Sequence, residues 1–297
     1  MIEFKPDLNL NMAEIFGAVA SALSVAALFK NCVDCFEYIQ LGRNFGQEYE
    51  KCQLKLDIVR LRLGRWGEAV NIDDARFATD TPTDQTAELA KSILEQIFIL
   101  FQSAQKTSKR YEATAKSDTL VLLEDHNMAS LARRLHNRLQ DLGHQRQGQT
   151  SLVRKASWAL YDGKKFEKLI DDIKDFIDDL ENLIPVEAVC RGLAELEIEE
   201  VDDEPTLQLL GDVAGGIDMA LLKAVKDKVD RISTRNYAKD INTEDCAKVR
   251  LGDEVSEAVR DMLIRHGTTN TAETVTARGD SRVHIGNKFG GKGVLDD

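Results

Sequence analysis

The last quarter of the chain repeats itself at an offset of 34 residues, and the repeat inverts charge. Asn236 falls on Asn270, Ala238 on Ala272, Val249 on Val283 and Gly252 on Gly286. Ile241 meets Val275, Leu251 meets Ile285 and Val255 meets Phe289. Lys239 falls on Glu273, Glu244 on Arg278 and Glu254 on Lys288, three opposite-sign pairs at one offset. Strands that pair in parallel lie about 4.7 Å apart, so equivalent residues of two stacked repeats become direct neighbours. Like charges would repel there, whereas alternating charges attract. Asparagine on asparagine forms an amide ladder, and apolar positions merge into a dry seam. Thr274-Val-Thr276 and Val283-His-Ile285 alternate as strands do. Two rungs leave both outer edges unpaired, so further copies are expected to stack on them into a fibril.

Some positions break the pattern. Lys248 meets Arg282, and those side chains are expected in solvent; Cys246 meets Asp280. Val255 to Thr269 is expected to link the rungs, although Val255 to Arg265 also carries some helical periodicity.

Composition divides the chain at the same place. The formal net charge is −12, yet residues 235–297 hold 10 basic and 11 acidic side chains, so −11 belongs to the rest. An acidic chain lacks the basic footprint of a nucleic-acid binder. It also lacks electrostatic attraction to anionic lipid, although hydrophobic insertion remains open. All prolines (Pro6, Pro82, Pro185, Pro205) precede residue 206, while the tail is glycine-punctuated. A boundary is expected near 230–235.

The first part reads as helices. Cys52, Leu56, Val59, Leu63 and Trp66 form one apolar stripe. Leu89, Ile93, Ile97, Leu100, Phe101 and Ala104 form a second, and Asp80-Thr-Pro-Thr-Asp84 before it signals a turn and an N-cap. Phe166, Leu169, Ile170, Ile173, Phe176, Ile177, Leu180 and Leu183 form a third, which stops near Pro185. Val186 to Ile198 and Ile217 to Val229 add further helices, and short connections imply a packed bundle. The acidic run from Glu195 to Glu204, just before Pro205, reads as a solvated helix end followed by a break.

Residues 15–29 are uncharged, with Ile15, Phe16, Val19, Leu23, Val25, Leu28 and Phe29 among small residues. As a helix they span roughly 22 Å against about 30 Å of bilayer core. That length suits a buried bundle helix, or a segment hidden in the soluble state and inserted into membrane when released. Acidic residues before it speak against a signal peptide.

No catalytic constellation emerges. Cys32 and Cys35 form a lone C-x-x-C without a second ligand pair, so buried thiols are the expectation. Gly286 to Gly293 nearly fits a phosphate loop but has Gly293 where the metal-binding hydroxyl belongs. The histidines form no H-E-x-x-H pair, and there is no G-x-S-x-G. No cofactor, metal or enzymatic activity is expected. A helical adaptor with a disordered interaction tail is the competing reading.

Longer stretches carry a family resemblance. These are Asn31-Cys-Val-Asp-Cys-Phe-Glu-Tyr38, Arg65-Trp-Gly-Glu-Ala-Val70, Ser103-Ala-Gln-Lys-Thr-Ser-Lys-Arg-Tyr111, Trp158-Ala-Leu-Tyr-Asp-Gly163, Ala214-Gly-Gly-Ile-Asp218, Ala238-Lys-Asp-Ile241 and Ser281-Arg-Val283 through Gly290-Gly-Lys-Gly293. With them the chain resembles the fungal HET-s/HET-S prion family from Met12 on, residues 1–11 being an N-terminal extension. The resemblance implies an all-α helical bundle, the HeLo domain, over residues 1–230. It implies a prion-forming tail over 231–297 with repeats 235–255 and 269–289, disordered when soluble and a two-rung β-solenoid when amyloid. Carried over by position, the solenoid core falls on Ala238, Ile241, Val249, Leu251, Ala272, Val275, Val283 and Ile285. Asp253 on Asn287 departs from the family's second asparagine ladder.

The implied partners are copies of the chain itself, as amyloid and as a helical-domain dimer, and a related prion or NOD-like receptor bearing a similar repeat. The implied activity is execution of cell death in heterokaryon incompatibility. The protein is expected in the cytoplasm, relocating on activation to membrane lipid, which the segment 15–29 enters.

Overall fold

The computed structural model describes residues 23–79, 84–116, 119–147, 157–233, 235–255 and 269–289. The chain divides into two compact units, Met1–Val225 and Lys226–Asp297.

The first unit is helical. Its elements are α1 (Val25–Glu37), β1 (Ile39–Leu41), α2 (Tyr49–Ala69), the single turn α3 (Ala75–Ala78), α4 (Gln85–Glu112), α5 (Ser130–Gln147), β2 (Trp158–Leu160), α6 (Gly163–Leu183), α7 (Glu187–Glu197) and α8 (Glu204–Ala214). The helix α9 (Met219–Ser233) begins here and crosses the division. Short strands β1 and β2 pair in parallel, Ile39 beside Trp158 and Leu41 beside Leu160.

Helix α2 is the central element. The stripe from Cys52 to Trp66 is buried, and so are Leu54, Ile58 and Leu61 on its other faces. These buried faces place α2 inside the domain, where it packs on α5, α6, α7 and α8, with Asp57, Arg60, Arg62 and Arg65 buried among its apolar residues. Trp66 donates its indole N–H to the Leu180 carbonyl at 3.2 Å, which satisfies a buried donor.

Three starts follow the expected chemistry. The Asp84 carboxylate accepts from the Ala87 N–H at 2.8 Å and caps α4. Asp162 caps α6, and Asp203 caps α8 with Pro205 in its first turn. The expected stripe of α4 is displaced by about one residue. Leu89 faces solvent and Ile93 and Leu100 are half-buried, while Ala87, Ala90, Leu94, Ile97, Phe98 and Phe101 are buried. This helix is apolar on more than one side, so periodicity alone does not choose the core face. The α1 contact chooses it: Phe36 meets Phe101 edge-on at 4.9 Å, and the Cys32 thiol donates to the Leu94 carbonyl. Cys32 and Cys35 are both buried, and burial, then the neighbouring Cys35, raises the Cys32 thiol well above its usual range.

The acidic run also differs from its solvated reading. Glu197 lies buried against Arg65, whose guanidinium also reaches Asp218 at 3.0 Å. Arg146 adds a further contact to Glu197. Asp218 in turn accepts from the Leu221 N–H at 3.0 Å and caps α9. This cluster therefore joins α2, α7 and the start of α9 through fully desolvated charges.

The second unit contains β3 (Arg235–Thr243), β4 (Lys248–Leu251), β5 (Glu254–Val255), β6 (Thr269–Ala277), β7 (Arg282–Ile285) and β8 (Lys288–Phe289). They form three parallel two-stranded sheets, β3 with β6, β4 with β7 and β5 with β8.

Candidate functional site: the paired repeats

The register of all three sheets is 34 residues. Asn236 pairs with Asn270, Ala238 with Ala272, Ile241 with Val275, Val249 with Val283, Leu251 with Ile285 and Glu254 with Lys288. Lys239 and Glu273 stand at the same offset, between the Ala238–Ala272 and Asp240–Thr274 pairs.

Polar residues cross between the rungs. The Asn236 side-chain amide donates to Asn270 Oδ1 at 2.9 Å, and the Asn270 amide donates to Asn287 Oδ1 at 2.9 Å. Asn236 also reaches Asp253 Oδ1 at 3.3 Å, while the Asp253 N–H donates to Asn287 Oδ1 at 2.9 Å. Asp253 thus enters the network as an acceptor, the role a carboxylate fills as well as an amide oxygen. Thr243 donates its hydroxyl to Ser281 at 3.0 Å.

Two of the charge inversions are direct ion pairs. Lys288 Nζ lies 2.9 Å from Glu254, and that hydrogen bond holds the carboxylate below its ordinary range. Arg278 lies 3.5 Å from Glu244, both side chains largely exposed. Ion pairs this exposed contribute more to register than to stability. Glu273 accepts from the Tyr237 hydroxyl, a partner the offset alone does not reveal.

Two corners depend on backbone freedom that was not anticipated. Asp245 and Gly279, 34 residues apart, both adopt positive φ, 58° and 68°. The second corner sets Gly252 over Gly286, where a Cβ on Gly252 would lie 2.1 Å from the Gly286 carbonyl oxygen. The positive φ at Asp245 is tolerated because Asp and Asn adopt the left-handed region more readily than other side chains.

The apolar positions are not equally covered. Ile241 is 7% exposed, whereas its partner Val275 is 43% exposed and Ile285 42%. Ala238, Val249, Leu251, Ala272 and Val283 are half-buried. Each sheet has two strands, so every described strand of this unit is an edge with backbone groups available to another chain.

The expected membrane segment is divided by what is described. Ile15, Phe16 and Val19 lie outside the described residues. Leu23 is half-buried just before α1, and Val25, Leu28 and Phe29 are buried on it, Phe29 tilted against Trp66 at 6.1 Å between ring centroids. Among the described residues no helix is long and apolar enough to cross a membrane. The link 256–268 also lies outside the described residues.

Comparison with known proteins places both units. Residues 17–210 match the HeLo family, described as prion-inhibition and propagation, and residues 228–290 match the family described as Het-s 218-289. The chain is 57% identical over 289 residues to heterokaryon incompatibility protein s of Podospora anserina, covering 96% of this chain and 100% of that one. It is 55% identical over the same length to heterokaryon incompatibility protein S of that species, with the same coverage. Among solved structures, a mutant HET-s N-terminal domain superposes with TM-score 0.69 at 59% identity, over 70% of this chain and 99% of that one. The HET-S N-terminal domain superposes with TM-score 0.70 at 56% identity, over 74% and 98%.

Proposed function

The chain belongs to the HET-s/HET-S family of heterokaryon incompatibility proteins, and from that premise we propose that it executes cell death under the control of its own tail. The observation that carries this reading is the uncapped pair of rungs, with edge strands throughout and Val275 and Ile285 exposed on rung two. A further copy supplies both the missing backbone partners and an apolar cover. A rung already stacked is then a template for the next, which propagates the fold. A receptor bearing a similar repeat starts the stack in the same way.

The helical unit is the effector. Helix α9 ends at Ser233 and β3 begins at Arg235, so extension of the stacked fold toward the N-terminus draws on α9. Asp218, which caps α9, is an ion partner of Arg65 on α2. Strain on α9 therefore acts on a buried charge cluster in the bundle. Loosening the bundle releases residues 15–29, which enter membrane lipid and permeabilise it; the protein moves from cytoplasm to membrane without any enzymatic step. Toxic and merely propagating forms differ in this last step.

The test is dye leakage from liposomes with the full-length protein, alone and with seeds of residues 218–297. Leakage is expected only with seeds in a toxic form, and seeded fibres with parallel cross-β spacing in either form. Failure of residues 218–297 to make fibres under any seeding would sink the reading and favour a helical adaptor.

A further inference from the structure

The asparagine network has a direction, and Asp253 sets it. A carboxylate only accepts, so the Asn236 amide turns its nitrogen toward Asp253 Oδ1. The same nitrogen donates to Asn270 Oδ1 across the rungs, which leaves the Asn270 nitrogen to donate to Asn287 Oδ1. The Asp253 backbone N–H donates to that Asn287 oxygen as well, so Asn287 is turned the same way. Three amides are thereby held in one of their two orientations. An asparagine at 253 would impose neither, because an amide both donates and accepts. Backbone fixes the carboxylate's place: the Lys288 N–H donates to the Asp253 carbonyl at 2.8 Å.

The unused hydrogen-bonding capacity divides by rung. On rung one, Asn236 Oδ1 and Asp253 Oδ2 accept from none of the described residues. On rung two, one Asn270 N–H and both Asn287 N–H groups donate to none of them. Spare acceptors thus lie on one rung and spare donors on the other, beside strands whose outer edges are open. Within a copy, Asp253 meets Asn287 only through its backbone N–H. Its carboxylate is left for a donor from elsewhere.

We propose that the two sets meet at the junction between copies, Asn287 of one copy donating to the Asp253 carboxylate of the next and Asn270 to Asn236 Oδ1. The occupant is a second copy of this chain in the same orientation, since only that arrangement sets spare donors against spare acceptors. The inference rests on the self-stacking reading above and adds direction and selectivity to it. A bond from an amide to a carboxylate is charge-assisted and stronger than one between two amides. A repeat with a carboxylate at the position of Asn287 would instead set like charges about 4.7 Å apart on Asp253. The rung-one face therefore accepts a partner repeat that presents a side-chain amide there and rejects one that presents an acid.

The experiment follows seeded assembly of the full-length protein by thioflavin fluorescence and by sedimentation of labelled monomer. Asn287→Asp sets carboxylates at every position of the row and is expected to assemble several-fold more slowly than wild type. Mixed with Asp253→Asn it meets an amide at every junction, while any clash inside its own copy remains. Labelled Asn287→Asp is therefore expected to enter fibres several-fold faster with Asp253→Asn as companion than with wild type. Asp240→Asn, the same charge change on rung one at a position stacked on Thr274, is expected to act as a companion no better than wild type. Equal incorporation with all three companions places the defect inside the copy and overturns the proposal. The double exchange of Asp253→Asn with Asn287→Asp restores alternation and is expected to recover assembly; no recovery also overturns it. Wild-type protein on wild-type seeds separates the two readings. If it fails to assemble, stacking and the proposal fall together; if it assembles and Asn287→Asp joins it as readily as it joins Asp253→Asn, only the proposal falls.

Discussion

The two units handle the same charged side chains in opposite ways. In the helical unit Arg65 is 1% exposed and holds Glu197 and Asp218, equally buried, while Arg62 holds Asp178, Glu181 and the Ile217 carbonyl. These charges meet partners elsewhere in the helical unit. In the tail Glu244 meets Arg278 and Glu254 meets Lys288 across one strand spacing, near the surface, in a pattern that further copies would continue if the proposed stacking holds. One unit closes on itself. The other leaves strand edges unpaired, the feature on which the proposed self-assembly rests. Damage to the first should therefore read out as lost stability, and damage to the second as lost assembly.

The sharpest break in that contrast is Gly252→Ala. A Cβ 2.1 Å from the Gly286 carbonyl oxygen has no room in the paired rungs, and both partners there are backbone, so neither yields cheaply. Fibre formation is expected to be abolished, scored by thioflavin fluorescence and by seeding of wild-type protein. The melting temperature of the helical unit is expected to be unchanged. Normal fibres from this variant would mean that the corner is not part of the assembled fold.

Arg65→Met makes the opposite break. It leaves Asp218 as a buried carboxylate facing an apolar side chain, and Glu197 with Arg146 as its remaining cation. Removing one partner of a buried ion pair costs about 3–5 kcal/mol. Thermal unfolding followed by helical circular dichroism should fall accordingly, while tail fibres still form from seeds. Retained stability would show that the cluster is dispensable to the bundle.

A milder test sharpens the tail's side of the comparison. Arg278→Glu sets like charges opposite one another at the Glu244 position, both largely exposed. Assembly should slow several-fold without being lost, since pairs this exposed are individually weak. Adding Glu244→Arg restores the alternation and should restore the rate. Absence of rescue in the double variant would remove charge inversion as a determinant of register.

What the sequence made legible follows the same division. The rung pairing was readable because stacking makes equivalence local: a single offset predicts Asn236 beside Asn270 and Val249 beside Val283, and both pairs form. The helices were readable where a stripe had a polar opposite face, as in α6, and less so in α4, where neighbouring faces are also apolar. Glu197 was unreadable because its partner lies 132 residues away in the chain. In a run of acidic residues nothing local distinguishes the one that turns inward. The corner at Asp245 was missed because an aspartate in the left-handed region leaves little trace in sequence, although its equivalence to Gly279 is visible at the offset. Tyr237 escaped notice because its hydroxyl reaches Glu273 two register positions away.

The smallest effect expected concerns pH, and it belongs to the helical unit alone. His136 is buried, with Nδ1 2.6 Å from Asp57 and Nε2 3.5 Å from Asp125. Asp57 is also buried and accepts from the Gln140 amide at 2.7 Å. Glu124 and Asp125 reach the same region, where burial and then these carboxylates push the Tyr49 phenol up to about 12. Burial by itself would lower the His136 value, but the hydrogen bond and charge of Asp57, then the charge of Asp125, outweigh it and raise it above the ordinary imidazole range. A histidine that binds its proton more tightly when folded adds stability that is fully present below the unfolded value of about 6.5. That stability is lost as pH rises through the folded value. The melting temperature of the helical unit should therefore decline as pH is raised from about 6 toward 8, by less than the Arg65→Met loss. His136→Gln should flatten the decline, because the amide still donates to Asp57 but does not titrate. Unchanged slopes in wild type and variant would assign any pH dependence to other groups.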